Sequence, residues 1–358
     1  MPFPRIDTPA VLVDLDVVDA NIAAFQNFCD DAGMKLRPHI KTHKLPFLAR
    51  QQISAGAVGV TCQKVSEAEA MIAGDDNDSD NSALGDILIT YNILGDAKLA
   101  RLARLAAKAK VSVVADNVAV VDGLARAFGD AAAPMRVLVE CDTGADRCGV
   151  RDPDAAAVLA ERVAAAPGLH FAGLMTYPPP GRVADVQEWL SEARRRCEAR
   201  GLSVEVVSSG GSPDMWNLGE MNAVSEYRAG TYVYYDRSLH ARGVCDWSDC
   251  ALTVLTTVVS APTETRAVID AGSKVLTSDL LEMRGHGHVL ARPDLEIDGL
   301  SEEHGRVTGA PTRLRVGDRL RIVPNHACVV ANMLDRVELV RGDEAVDVAE
   351  VVARGQVW

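Results

Sequence analysis

The residues best suited to chemistry begin at Arg37-Pro38-His39-Ile40-Lys41-Thr42-His43-Lys44, which packs five basic or titratable side chains into eight positions of a chain with net charge -13. A basic cluster alone is more often a solvated face. Its company argues otherwise. A lysine with a neutral amine can attack an aldehyde and hold a carbonyl cofactor, and nearby cations such as Arg37 and a protonated His39 would lower the Lys41 pKa to that end. Far downstream, Pro324-Asn325-His326-Ala327-Cys328 offers an imidazole and a thiol two residues apart. In extended backbone such residues point the same way, and nitrogen with sulfur is a donor pair that suits zinc. Two protein ligands still need water, substrate or a third side chain to complete a metal's shell. Gly285-His286-Gly287-His288 is a further candidate, more ordinary as a flexible solvated loop, and Glu303-His304-Gly305 is either a loop end or another active-site contribution.

The elements that must position these groups follow from periodicity. After a helical pattern at 16–32, short β-like runs near 35–39, 57–62, 86–91, 111–115, 136–141, 170–176, 203–208 and 223–228 alternate with helical patterns such as Lys98–Lys110. Eight strands, each followed by a crossover, predict an α/β chain: a (β/α)8 TIM barrel over residues 10–245. A doubly wound sheet is the alternative, and it lacks a G-x-G-x-x-G fingerprint here. After about residue 242 the texture turns β-rich, with runs at 251–260 and 263–270 split by Ala261-Pro262 and others at 313–323 and 335–339. Residues 246–358, joined by 1–9, therefore read as a smaller, mainly antiparallel β domain that carries His326 and Cys328. Asp75–Ser82 reads as a solvated polar insertion.

Barrel active sites form at the C-terminal ends of the strands. On this reading Lys41, Gln63 and Lys64, Tyr91 and Asn92, Asp116 and Asn117, Asp142 to Arg147, and Tyr177 all fall on that rim. So do Ser209-Gly210-Gly211-Ser212 and Gly230-Thr231-Tyr232, two small, hydroxyl-bearing loops after the last two strands. Loops of this kind let backbone N–H groups approach a phosphate. A lysine across from a phosphate grip suggests pyridoxal 5'-phosphate; a sugar-phosphate enzyme would need the same grip, so these residues alone leave the cofactor open.

Composition sets the outer limits. A hydrophobic fraction of 48% with 24% charged residues is that of an ordinary soluble globular protein. A pI near 5.1 argues against a nucleic-acid or anionic-membrane partner. No run approaches the roughly 20 apolar residues needed to span a bilayer, and the start of the chain has no apolar leader. Eight scattered cysteines without a C-x-x-C pair fit reduced thiols, and the expected location is cytoplasmic.

The motifs, taken together and in order, resemble one family. Arg37-Pro38-His39-x-Lys41-Thr42-His43-Lys44, Glu140-x-Asp142-x-Gly144-x-x-Arg147-Cys148-Gly149-Val150, Gly210-Gly211-Ser212, Gly230-Thr231-Tyr232, Asp270-Ala271-Gly272-Ser273-Lys274, Glu302-Glu303-His304-Gly305 and Pro324-Asn325-His326-x-Cys328 are similar to those of the D-serine dehydratase and D-threonine aldolase family, which has the alanine-racemase-type, fold type III architecture. The resemblance spans essentially the whole chain. It implies that Lys41 holds pyridoxal phosphate as a Schiff base and that Gly211, Ser212, Gly230, Thr231 and Tyr232 hold the phosphate. It also implies that Arg147 and Tyr177 line the cofactor. A divalent metal (zinc first, then manganese or magnesium) would sit on His326 and Cys328 and meet a substrate β-hydroxyl, with His326 or His39 as base. A homodimer is implied as well.

The implied substrate is a D-3-hydroxy amino acid. Dehydration, as by D-serine or D-threo-3-hydroxyaspartate dehydratases, would give a 2-oxo acid and ammonia; retro-aldol cleavage would give glycine and an aldehyde. In this family cysteine as second metal ligand accompanies dehydration and aspartate accompanies cleavage, so Cys328 directs the expectation to dehydration. An amino-acid racemase would keep Lys41 and the phosphate loops but needs no metal pair. Two stretches depart from the family pattern at the substrate pocket: Pro178-Pro179-Pro180 after Tyr177, and Pro213-Asp214-Met215-Trp216 after Ser212.

Overall fold

The computed structural model describes residues 3–75 and 84–358, so most of the polar insertion lies outside the described residues. Two compact units emerge, one of residues 25–41, 46–230 and 356–358, the other of residues up to 24, 42–45 and 231–355. The division falls within the first helix.

The first segments are β1 (Ala10–Asp14), α1 (Leu15–Asp31), β2 (Lys35–Leu36) and α2 (Pro46–Ser54). Then come β3 (Val60–Cys62), α3 (Val65–Asp75), β4 (Asp86–Ile89), α4 (Asp96–Ala106), β5 (Lys110–Ala115) and α5 (Val118–Phe128). They are followed by β6 (Met135–Cys141), α6 (Pro153–Ala165), β7 (Leu169–Thr176), α7 (Val183–Ala199), β8 (Val206–Ser209) and β9 (Glu226–Tyr227). Strands β2 to β9 form one parallel sheet in the order β2-β9-β8-β7-β6-β5-β4-β3. Its two ends meet where His39 bridges Thr61 and Thr61 N–H donates to Pro38 O at 2.8 Å. This is the expected eight-stranded α/β barrel.

Buried parallel strands are apolar because crossover helices cover them, and Leu88, Val114, Leu138, Ala172 and Met175 pack into one cluster. The helices bury a single stripe, as in α4, where Leu99, Leu102 and Leu105 face inward. Asn117 and Asp152 cap α5 and α6 through their side chains.

The second unit holds α8 (Arg237–Ala241), β10 (Leu252–Thr263), β11 (Arg266–Ile269), α9 (Ser273–Leu276), β12 (His288–Val289) and β13 (Glu296–Leu300). It continues with β14 (Gly305–Thr308), β15 (Arg319–Val323), α10 (Ala327–Met333), β16 (Arg336–Arg341) and β17 (Glu344–Glu350). Its sheet is mainly antiparallel, ordered β13-β14-β11-β10-β1-β16-β17, with β15 on β10 and β12 on β15. Strand β1 therefore belongs to this sheet, and Phe3, Ile6, Leu12, Leu255 and Val340 share a core beneath it. The expected break at Ala261-Pro262 is not a turn. Strand β10 runs through to Thr263, with register shifts at Ser260 and Thr263 that accommodate the proline. Asp270 closes the unit's start: its carboxylate accepts Thr8 Oγ1 and Thr256 Oγ1, each at 2.6 Å. No described helix is long and apolar enough to cross a membrane.

Candidate active site

In the barrel unit the chain stays extended past β2, with Arg37 N–H donating to Tyr227 O and His39 N–H to Ala229 O, each at 2.9 Å. Residues two apart share a side, so Arg37 and His39 enter the barrel at successive depths. Arg37 takes the lower one. Its Nε lies 2.7 Å from Glu226 and its Nη1 2.8 Å from Asp86, in a charged cavity of about 420 Å³. Arg37 is thus engaged by structural ion pairs with Glu226 and Asp86, partners that the sequence-based expectation did not foresee.

The expectation for His39 is corrected. It is buried, its Nε2 lies 3.1 Å from Gln63 Oε1, and its Nδ1 accepts the Lys41 N–H at 3.4 Å. Burial first, then the charge of Lys41, holds its pKa well below the ordinary histidine value. The imidazole is neutral, with Nε2 carrying the proton. Lys41 stands in the 3-10 turn Ile40–Thr42, half-buried. Among the described residues its Nζ has no hydrogen-bond or ion-pair partner, which leaves the amine available to a carbonyl.

The loop after β6 is folded back by Gly149, whose φ of 123° and whose ideal Cβ, 2.2 Å from Asp142 N, admit only glycine. Asp142 Oδ1 accepts the Gly144 and Asp146 N–H groups, and Asp116 Oδ2 accepts that of Gly149. The loop presents Arg147, whose guanidinium lies 4.5 Å above the Tyr177 ring. Asn117 is a helix cap, and Lys64 lies 3.3 Å over exposed Tyr91.

After β8, Ser212 opens a 3-10 turn with its hydroxyl buried and, among the described residues, without a hydrogen-bond partner. A buried hydroxyl left so costs about 1–3 kcal/mol. Gly210 at φ 115° leaves no room for a Cβ, which would stand 2.5 Å from the Tyr227 ring, and the Tyr227 hydroxyl donates to Gly211 O at 2.7 Å. An orphaned hydroxyl beside two glycines fits a phosphate oxygen, so these residues fit pyridoxal phosphate. The departures nearby have packing roles. Asp214 accepts the Gly181 N–H at 3.0 Å, and Trp216 packs edge-on to Phe25 and Phe28.

Two charged residues in the barrel interior, Arg228 and the motif residue Glu140, were given no role by the sequence reading. Arg228 is buried, donates from Nε to Ser208 Oγ at 2.9 Å and from Nη2 to Thr176 O, and burial lowers its pKa to about 10. Glu140 is held at about 7, by burial first and by Asp116 next, against Arg147 and Arg228. The available signal was Glu226 and Arg228 alternating along a strand that should be apolar.

In the second unit His326 is the extended N-cap residue of α10, at φ -140°, whereas Cys328 is already helical. The pair therefore forms at a strand-to-helix corner, and not along a strand as its spacing suggested. Asp236 organises the corner. Its Oδ1 accepts Leu239 N–H at 3.1 Å and Ser238 Oγ at 2.6 Å, while Oδ2 accepts Ala327 N–H at 3.1 Å and lies 3.8 Å from His326 Nδ1. At 3.8 Å the carboxylate is too far for a hydrogen bond to Nδ1, and it sets a negative charge beside the ring.

Cys328 Sγ lies 3.1 Å from Thr42 Oγ1 and 3.4 Å from Thr231 Oγ1. The structure thus gives Thr231 a sulfur neighbour in addition to its expected place beside the phosphate, and Tyr232 is buried. Among the described residues no three or more His, Cys, Asp or Glu side chains cluster as a metal cage. An imidazole nitrogen and a thiol sulfur completed by solvent or substrate oxygen fit a divalent metal. The other histidine motifs serve structure. Asn325 donates to Gly285 O and Asp279 O, His288 stacks on Trp247 at 3.8 Å, and the His304 carbonyl closes a turn with Ser301.

Comparison with known proteins shows the family and the fold. The N-terminal domain model of alanine racemase matches residues 13–238, and a serine dehydratase domain model matches residues 251–340. The chain belongs to the D-serine dehydratase and D-threonine aldolase family. It is a pyridoxal phosphate-dependent lyase of alanine-racemase-like fold. A D-threonine aldolase of Arthrobacter sp is 33% identical over 99% of this chain and 94% of its own. The crystal structure of D-threonine aldolase from Filomicrobium marinum superposes with a TM-score of 0.90 at 32% identity, covering 100% of this chain and 98% of that one. D-threo-3-hydroxyaspartate dehydratase has been solved as a histidine-to-alanine mutant and, in a metal-free form, as a cysteine-to-alanine mutant. The two replaced positions are two residues apart, with TM-scores of 0.89 and 0.88, 28% identity, and coverage of 100% of this chain and 97% and 100% of those chains.

Proposed function

We propose that this lyase removes water from a D-3-hydroxy amino acid, such as D-serine or 3-hydroxy-D-aspartate, to give a 2-oxo acid and ammonia, with a divalent metal, zinc above manganese or magnesium, at His326 and Cys328. The observation that carries the reading is the His326-x-Cys328 corner with Asp236 behind it. Its spacing matches the histidine and cysteine replaced in the dehydratase structures.

When bound, the cofactor would supply an electron sink for the α-carbon and the metal a Lewis acid for the β-oxygen. Everything else falls to side chains. Ser212 Oγ and the Gly211 and Gly230 backbone would grip the phosphate, and Arg147 with Tyr177 would line the ring. Lys41 Nζ, displaced by the substrate amine, would take the α-proton. His39, neutral and pinned by Gln63, keeps a fixed imidazole beside Lys41 and would orient it. His326 Nε2 and Cys328 Sγ would hold the metal, with the Asp236 charge beside the imidazole.

The test is incubation of purified, zinc-loaded protein with D-serine, D-threonine and 3-hydroxy-D-aspartate. Dehydration yields ammonia and a 2-oxo acid in equal amounts. Glycine with an aldehyde would instead assign the cleavage reaction of the aldolase relatives, and racemised substrate would reject lyase chemistry on these compounds.

A further inference from the structure

We propose that Thr42 and Thr231 are positioning residues for the metal-binding sulfur: their two hydroxyls hold Cys328 Sγ in its ligating orientation and supply the hydrogen bonds that a thiolate ligand needs. The inference rests on the reading of His326 and Cys328 as the metal pair.

The geometry comes from three separate parts of the chain. Thr42 ends the 3-10 turn that begins at Ile40, and Thr231 begins another that runs to Val233. Cys328 lies in the first turn of α10. Their oxygens stand 3.1 and 3.4 Å from Sγ, both within hydrogen-bond range of sulfur. Thr42 is fully buried, so its hydroxyl has little access to bulk water as an alternative partner. A thiol carries one proton and can donate only once. A metal takes the sulfur as thiolate, the thiol proton leaving to solvent as the sulfur–metal bond forms. The charged sulfur is a stronger acceptor than the neutral thiol, and both threonine hydroxyls can donate to it. Two donors spread the sulfur's negative charge and fix its direction, as outer partners of metal ligands generally do. Threonine suits the task because its branched Cβ restricts the side chain to few rotamers. Valine would fill the same space and leave the sulfur without these donors.

The roles can be separated by substitution. Thr42→Val and Thr231→Val keep the shape and delete the hydroxyl; Thr42→Ser and Thr231→Ser keep the hydroxyl. Zinc affinity is read by competition with a chromophoric chelator, and the sulfur-to-metal charge-transfer band is read on cobalt(II)-loaded protein. Circular dichroism of the metal-free proteins checks folding. Each valine variant is expected to weaken zinc binding roughly tenfold, within the usual 10- to 100-fold cost of losing such a partner. The charge-transfer band should shift as the sulfur loses a donor, and the serine variants should restore both readouts.

Wild-type zinc affinity and an unshifted band in both folded valine variants, while Cys328→Ala loses zinc, would overturn the threonine assignment and leave the metal pair standing. Zinc binding in Cys328→Ala equal to wild type would overturn both.

Discussion

Asp236 Oδ2 sits 3.8 Å from His326 Nδ1 while accepting the N–H of Ala327 at 3.1 Å, so one buried carboxylate holds the backbone at this corner and sets a negative charge beside the ring. Removing its charge should affect the metal site more than the fold, because the other oxygen, Oδ1, caps α8. Asp236→Asn is expected to weaken zinc binding by about 10- to 100-fold. The stability of the metal-free variant in thermal unfolding should fall modestly, by about 1–3 kcal/mol, because the amide nitrogen in place of Oδ2 cannot accept the Ala327 N–H. Isothermal titration with zinc on both proteins checks this; equal affinities would remove Asp236 from the metal site.

Ser212 should matter to the cofactor and not to the fold. Its hydroxyl is buried without a partner among the described residues, so Ser212→Ala removes an unmet polar group from the apoprotein. A hydrogen bond to a charged group is worth about 1.5–3 kcal/mol, which predicts roughly a 10- to 100-fold weaker grip on pyridoxal phosphate. Apoprotein stability should hold or rise slightly. Absorbance titration of the apoprotein with the cofactor measures the first effect and a melting curve the second. An unchanged cofactor affinity would move the phosphate elsewhere.

Lys41→Ala should abolish the visible absorbance of the bound cofactor and leave the fold intact, since Nζ has no partner among the described residues to lose. Survival of the wild-type spectrum would assign the covalent link to another amine.

Glu140 predicts a pH effect of definite sign. Its carboxyl is held at about 7 in the folded barrel and ionises near 4.5 when exposed. A raised pKa contributes stability that is complete below 4.5 and is lost as the pH climbs to 7. Melting temperature of the cofactor-free protein should therefore carry a falling component across that window, and Glu140→Gln should flatten it. Parallel profiles of the two proteins would mean that Glu140 ionises normally.

The barrel was legible because most of its strands, β3 to β8, are short runs rich in apolar residues bounded by turn residues, whereas β2 and β9 carry Lys35 and Glu226 and were placed by the alternation of the rest. Its rim was legible for the same reason, since a strand's end locates the next loop. What escaped was set by distance along the chain. Arg37 lies 189 residues from Glu226, the carboxylate that claims it, and nothing local marks that pairing. Burial, visible only in three dimensions, turned His39 from a presumed cation into a neutral ring. Pro262 read as a turn because proline usually interrupts strands; a register shift near the end of β10 accommodates it. Asp236 read as nothing at all, since an aspartate before a short helix looks like a cap, which it also is.

Every second or third residue from Arg37 to Lys44 is tied to a different anchor. Arg37 goes to Glu226, His39 to Gln63, Thr42 to Cys328, and Lys44 Nζ to Asn332 Oδ1 at 2.6 Å and Ala353 O at 3.1 Å. Such a segment has no slack in its length. Inserting or deleting one residue there would displace all the following anchors by a full residue, whereas exposed hairpin loops such as Gly342-Asp343, between β16 and β17, can grow or shrink without that penalty. For anyone diversifying this scaffold, libraries that vary length belong in those loops, and the octapeptide should be varied by substitution alone.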